Sequence, residues 1–88
     1  MYYVYVLQSY SNKSLYVGYT ADLKTRMKEH NEGKSIYTKL YKPWELVYYE
    51  AYKHKLDATK REWLLKHNPS GMRMIKRRLL RSLHDYKV

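Results

Sequence analysis

Arg26 and His30 stand one helical turn apart in the stretch LYVGYTADLKTRMKEH, residues 15–30. At about 100° per residue both fall beside Leu23 and Met27, while Lys24 and Lys28 take the outer face. A guanidinium that close to a core needs an acid or a bound anion to match its charge; otherwise it must snorkel, stem packed and head in water. Asp22 and Glu29 are near enough along the helix to supply the match. Glu62 is the other acid of interest, flanked on its own helix by Ala58 and Leu65 on one side and by Thr59 and Trp63 on the other. Among Lys60, Arg61 and Lys66, that carboxylate could be a single ligand for a hard divalent ion, or the partner of Lys66 in an i,i+4 pair. Tyrosine hydroxyls, an inward arginine, a histidine and a glutamate on a basic body suit phosphodiester cleavage. The arginine would hold the phosphate, a metal would stabilise the leaving oxygen, and a tyrosine or histidine would take a proton from water.

Other chemistries lack their residues. The chain has no cysteine, which excludes disulfides and thiolate metal sites and makes a reducing cytoplasm the default expectation. His30, His54, His67 and His84 show no zinc-ligand spacing, and Gly18, Gly33 and Gly71 do not make a phosphate-cradling loop. A formal charge of +10 on 88 residues works against compactness and points to a polyanionic partner, nucleic acid before an anionic membrane surface. No apolar stretch approaches spanning length and no signal-peptide pattern is present. The apolar content is unusual in kind: 12 Tyr and 2 Trp with no Phe. Tyrosine covers apolar surface while keeping a hydroxyl for water, a phosphate or a buried acceptor.

The elements that must position these groups can be read along the chain. At this length a single domain over 1–88 is expected. Residues 2–8, YYVYVLQ, read as a strand with Tyr3, Tyr5 and Leu7 on one face and Tyr2, Val4 and Val6 on the other, apolar on both sides and therefore central. A polar turn over 9–14 returns the chain as LYVGY. Thr20 or Asp22 caps the helix that follows, and Asn31-Glu32-Gly33 closes it, with Gly33 as the left-handed stop. Residues 34–43 form a basic loop, and WELVYYEAY, 44–52, is a third strand. Asp57 opens a second helix running to about His67, where Asn68-Pro69-Ser70-Gly71 breaks it. A last helix over about 72–86 carries Met72, Ile75, Leu79 and Leu83 at helical spacing. The order ββαβαα predicts an α+β domain with a small, mostly antiparallel sheet.

In their order along the chain these residues resemble the GIY-YIG nuclease family. Tyr3-Val4-Tyr5 matches the first motif strand and Tyr16-Val17-Gly18 the second; Arg26, His30 and Glu62, the last within KREWLLK, follow in sequence. Two positions depart from the family pattern: Tyr3 stands where the first motif has glycine, at its variable first position, and Asn68, the asparagine beyond Glu62 and beside Pro69, is not assigned the role of the family's downstream asparagine. The size is that of the small standalone, UPF0213-like members. The resemblance implies a three-stranded sheet flanked by helices and an endonuclease that uses Mg²⁺ or Mn²⁺. Tyr5 and Tyr16 would line the cleft, with Tyr16 the general base or water-positioning group. A free tyrosine has a pKa of about 10, so nearby positive charge would have to help it. Arg26 would bind the scissile phosphate, His30 would assist proton transfer or orient Tyr5, and Glu62 would hold the metal.

The expected partner is DNA, with RNA open, in repair or processing. Lys34, Lys39 and Lys42 of the loop and Arg77, Arg78 and Arg81 of the last helix are the candidate backbone contacts, or else a solvated charged face. Exposed tyrosines able to stack on unpaired bases favour branched, flapped or single-stranded substrates. Two alternatives remain: a binding module of the same fold that cuts little, and a regulatory subunit brought to DNA by another protein. A tyrosine-rich edge strand leaves the protein a monomer or a weak homodimer.

Overall fold

A computed structural model describes residues 1–84. The elements are β1 (Tyr2–Ser9), β2 (Leu15–Thr20), α1 (Leu23–Asn31), β3 (Trp44–Tyr52), α2 (Lys55–His67) and α3 (Pro69–Arg78), with one turn of 3-10 helix at Lys39–Tyr41. The order ββαβαα read from the sequence is the order observed. The sheet has three strands in the order β2-β1-β3, and both pairings are antiparallel. β1 is central, as its two apolar faces require, and Tyr5 lies opposite Gly18 on one side and Tyr49 on the other. No described helix is long and apolar enough to cross a membrane.

Each face of β1 serves a different core. Val4 and Val6, with Val17 of β2, pack against Ala58 and Leu65 of α2 and Ile75 of α3. Tyr5 and Leu7 pack with Trp44, and Tyr16, Leu23, Met27 and Leu46 close around them, so α1 lies on the face opposite α2 and α3. A fully buried aliphatic or aromatic side chain contributes roughly 1.5–3 kcal/mol, and these two clusters hold the sheet between its helices.

Asp22 is the residue that caps α1: its Oδ1 accepts from the Thr25 amide at 3.1 Å and its Oδ2 from the Thr25 hydroxyl at 2.9 Å. The helix stops where expected, with Gly33 at φ +76°. Asn31 does more than end it. Its amide group brackets Trp44, accepting from the backbone N–H at 2.7 Å and donating to the carbonyl at 3.1 Å. The start of β3 is thereby tied to the end of α1.

Two boundaries differ from the sequence expectation. α2 begins at Lys55 rather than Asp57, because the His54 ring takes the capping role and its Nδ1 accepts from the Leu56 amide at 3.0 Å. Asp57 falls instead in the first turn, where its charge complements the helix dipole. The stretch 68–71 ends α2 but also starts α3: Asn68 Oδ1 accepts from the Ser70 amide at 3.1 Å and Pro69 occupies the first helical position. α3 therefore spans Pro69–Arg78 instead of 72–86, although Leu79 and Leu83 remain buried in the turns that follow it. Positions 85–86 of the expected helix lie outside the described residues.

Candidate active site

Tyr5 is placed by a glycine. A β-carbon on Gly18 would come within 2.3 Å of the Tyr5 Cζ and hydroxyl. The Tyr5 ring therefore lies across β2 over the bare backbone of the second motif, and a side chain at position 18 would evict it. Its hydroxyl meets His30 Nε2 at 2.8 Å. The other ring nitrogen of His30 meets Thr38 Oγ1 at 2.7 Å, and Tyr5, His30 and Thr38 are all almost wholly buried. The loop over 34–43 is thus basic outside and pinned inside. Thr38 grips the histidine, and its carbonyl accepts from the Trp44 indole N–H at 2.7 Å.

Burial sets the protonation of this chain of groups. Desolvation, reinforced by the Arg26 charge, pushes His30 down to about 4, so the imidazole is neutral near pH 7. Desolvation also pushes Tyr5 up to about 12, with a bond from Arg26 pulling weakly the other way, so Tyr5 keeps its proton. A neutral imidazole between two hydroxyls can accept a proton from one side while giving one to the other.

Around this buried line stand the other sequence-predicted residues. The Tyr16 ring has its centre 6.5 Å from that of Tyr5, 5.3 Å from His30 and 6.2 Å from Trp44. Arg26 pairs with Glu29 at 3.0 Å and keeps about a third of its side chain in solvent, with further guanidinium donors to offer. Of the two acids that could have matched Arg26, Glu29 does so and Asp22 does not, being committed to the helix cap. Glu62, on α2, acts electrostatically on Tyr5 and pairs with Lys66 at 3.2 Å. The Lys66 ammonium in turn stands 5.7 Å from the Tyr16 ring centre. Tyr5, Tyr16, Arg26, His30 and Glu62, scattered over β1, β2, α1 and α2, are gathered in one place. Thr38 and Lys66 join them. Lys66 was legible as the i,i+4 partner of Glu62, whereas nothing in the sequence marked Thr38.

The basic candidates divide. Lys42 and Lys39 approach Gly33 at the C-terminal end of α1, beside the loop that grips His30, and Lys34 pairs with Glu32 at 3.2 Å. Arg77 and Arg78 end α3, on the other face of the sheet, and Arg78 is close enough to Tyr48 of β3 to lower its pKa against the effect of burial. Arg81 follows α3 directly. The two basic groups do not form one surface with the clustered residues; only the loop lysines adjoin them. A groove of about 660 Å³ opens along α1 between Tyr3, Leu23, Met27, Leu46 and Tyr49, and it shares no residue with the cluster.

Among the described residues no three His, Cys, Asp or Glu side chains gather into a metal-holding cluster. The donor set still fits a Mg²⁺-like ion, which keeps most of its waters and takes one or two carboxylates plus substrate phosphate oxygens. Glu62, a carboxylate linked to Tyr16 through Lys66 and near enough to act on Tyr5, with part of its side chain open to solvent, meets that need.

Comparison with known proteins gives consistent matches. Residues 1–73 match the GIY-YIG catalytic domain family. A UPF0213 protein of Staphylococcus epidermidis is 45% identical over 65 residues, covering 73% of this chain and 78% of that one. A UPF0213 protein of Staphylococcus aureus is 40% identical over 79 residues, covering 86% of this chain and 95% of its own. The solution NMR structure of a UPF0213 protein from Bacillus halodurans superposes with a TM-score of 0.56 at 32% identity, covering 90% of this chain and 87% of that one.

Proposed function

Because the chain belongs to the GIY-YIG family of nuclease domains, we propose that it is an endonuclease that hydrolyses phosphodiester bonds in DNA with a divalent cation, Mg²⁺ or Mn²⁺, held by Glu62. The observation that carries the reading is the buried Tyr5–His30–Thr38 line ending beside Tyr16, Arg26 and Glu62. Arg26 offers its free guanidinium donors to the non-bridging oxygens of the scissile phosphate, where charge grows in the transition state. Tyr16 orients the attacking water through its hydroxyl oxygen and, as the phenolate, receives the water's proton, with the Lys66 ammonium at its ring. Tyr5, protonated and fixed over Gly18, donates or accepts one hydrogen bond at the reacting group while His30 holds its hydroxyl. His30 is a positioning residue that also lets a proton move between Tyr5 and Thr38. The cation would supply positive charge to the leaving oxygen.

In this reading all 88 residues form one domain, and the protein acts as a monomer or weak homodimer in DNA repair or processing. The loop lysines Lys34, Lys39 and Lys42 track the backbone next to the site, and Arg77, Arg78 and Arg81 serve a second stretch of substrate or none. A second reading, a binding module that cuts little, draws on the Glu62–Lys66 ion pair, which gives the carboxylate a purely structural partner.

The test is cleavage of labelled duplex, flap and single-stranded DNA, and of their RNA counterparts, with Mg²⁺, Mn²⁺ or EDTA. Glu62→Ala should abolish metal-dependent cutting. Arg26→Ala should lower its rate by about 10²–10³-fold, the usual cost of removing one transition-state donor. Cutting that survives Glu62→Ala would assign the metal elsewhere. Tight, salt-sensitive binding without cutting, unchanged by Glu62→Ala, would establish the binding module instead.

A further inference from the structure

α2 carries an aromatic surface that the proposed cleavage does not use. Trp63 is 58% exposed, whereas the other tryptophan, Trp44, is 4% exposed. Its indole is not a loose side chain. The His67 ring stacks on it with centres 4.4 Å apart and planes within 17°. His67 Nδ1 meets the Trp63 carbonyl at 2.8 Å, and since a carbonyl only accepts, that nitrogen carries the proton and the ring is held parallel to the indole. His67 thus backs one face of the indole, and the Trp63 ring remains largely in solvent.

Its neighbours decide what it can take. Trp63 directly follows Glu62, and Lys66, one turn on, bridges Glu62 and Tyr16. At about 100° per residue, Lys55, Lys60 and Lys66 fall on the same side of α2 as Trp63 and His67. A protein-binding patch would be depleted in lysine around its aromatic centre. Here an aromatic plane shares its side of the helix with Lys55, Lys60 and Lys66, as well as with exposed Leu56, and aromatic rings with lysines beside them suit a single-strand nucleic-acid surface: bases stack on the rings while lysines follow the phosphates. A base inside a duplex has both faces covered by its stacked neighbours, so an exposed plane of this kind takes a base that is unpaired.

We propose that Trp63 and His67 form a stacking platform for an unpaired base of a nucleic-acid strand whose backbone passes Glu62 and Tyr16. The platform rests on the endonuclease reading and deepens it: it gives the enzyme its preference for flapped, branched or single-stranded substrates. Trp63 receives the base, His67 backs the indole from the other side, and Lys66 and Lys60 meet the adjoining phosphates.

Because Trp44 is buried, a base that stacks on an indole can quench only the Trp63 share of the tryptophan fluorescence. In EDTA, where no cutting occurs, a single-stranded oligothymidylate should quench that emission, and a blunt duplex of equal length should quench it far less. Anisotropy of a labelled oligonucleotide then compares variants. Stacking of one base is worth about 5–150-fold in affinity. Trp63→Ala should weaken single-strand binding within that range and change duplex binding less than about twofold. Trp63→Phe should recover most of the loss, and His67→Ala should lose part of it. Equal weakening on single strand and duplex would reduce Trp63 to a backbone contact and overturn the proposal, as would single-strand affinity unchanged in Trp63→Ala. Cleavage measured in parallel with Mg²⁺ keeps the two readings apart. Quenching with no cutting of any substrate overturns the endonuclease and leaves the platform standing. Cutting of duplex and flap at equal rates, unaffected by Trp63→Ala, does the reverse.

Discussion

Thr38 carries a disproportionate share of the site although it touches no substrate. Its hydroxyl gives the buried His30 ring its second partner, and that bond decides which way the imidazole faces Tyr5. Thr38→Val keeps the shape and deletes the hydroxyl, leaving a buried ring nitrogen unpaired at a cost of about 1–3 kcal/mol. Urea unfolding should show that loss, and single-turnover cleavage should fall through the chemical rate with substrate affinity unchanged. A variant as stable and as fast as the parent would remove His30 from the proton path. Arg26 and His30 were legible as inward-facing because a helical wheel fixes them relative to Leu23 and Met27. Thr38 was not, because its partner lies eight residues back and the two meet only once the loop has folded over the end of α1. The approach of Glu62 to Tyr5, and through Lys66 to Tyr16, was likewise a property of tertiary structure, and the family motif order was its main trace in the sequence.

At the scale of elements, the β1–β2 hairpin and α1 form a unit whose internal spacing is set by Gly18. The same absence of a side chain that makes Gly18 look like a weak point in β2 lets the Tyr5 phenol cross the neighbouring strand and reach His30. Gly18→Ala puts a methyl group where the phenol lies, and the ring has to rotate away. The expected result is a loss of stability of about 1–3 kcal/mol, as for other overpacked cores. Cleavage should be abolished while DNA binding is retained. Full activity in Gly18→Ala would mean that Tyr5 is dispensable. Strand positions, faces and the central place of β1 followed from the sequence because residues 2–8 and 44–52 are rich in valine and tyrosine and residues 2–7 are apolar on both alternating faces. In the second half the end of α2 at His67 followed, but its start and both limits of α3 did not. Asn68 and Pro69 carry the same local signal whether they stop a helix or start one, and α3 begins there because its Ile75 and Leu79 reach the core already occupied by Leu65. Arg77, Arg78 and Arg81 were placed with the loop lysines by charge alone, and charge says nothing about which face of a sheet a helix covers.

For the molecule as a whole, the excess of positive charge that suits nucleic acid has to be reconciled with a stable fold, and one buried group and one half-buried group do so in a pH-dependent way. Glu50 on β3 receives Arg61 of α2 in a two-pronged pair at 2.8 and 2.9 Å and the hydroxyls of Tyr48 and Tyr52 at 2.6 and 2.5 Å. Burial alone would raise its pKa, but the bonds from Arg61 and the two tyrosines outweigh burial and hold it at about 2. His30, buried neutral, sits at about 4. Both groups bind protons more weakly in the folded state than in the unfolded chain, so both contributions are present at neutral pH and are lost on acidification. The windows differ: His30 gives up its share between its unfolded value of about 6.5 and 4, and Glu50 between about 4.5 and 2. Each window is worth roughly 3 kcal/mol, and protonation adds positive charge to a chain that already carries +10. Unfolding free energy measured by urea at successive pH values should therefore begin to fall below pH 6.5, well above the range where exposed carboxylates titrate, and steepen below 4.5. His30→Gln should flatten the upper limb and leave the lower one, and the ring protons of His30 should titrate near pH 4 by NMR. Stability that stays level from pH 7 to 5 in the parent protein would show that the fold does not depress the His30 pKa. In that case the ring would be an imidazolium below about pH 6.5, and the neutral relay assigned to the site would be confined to higher pH.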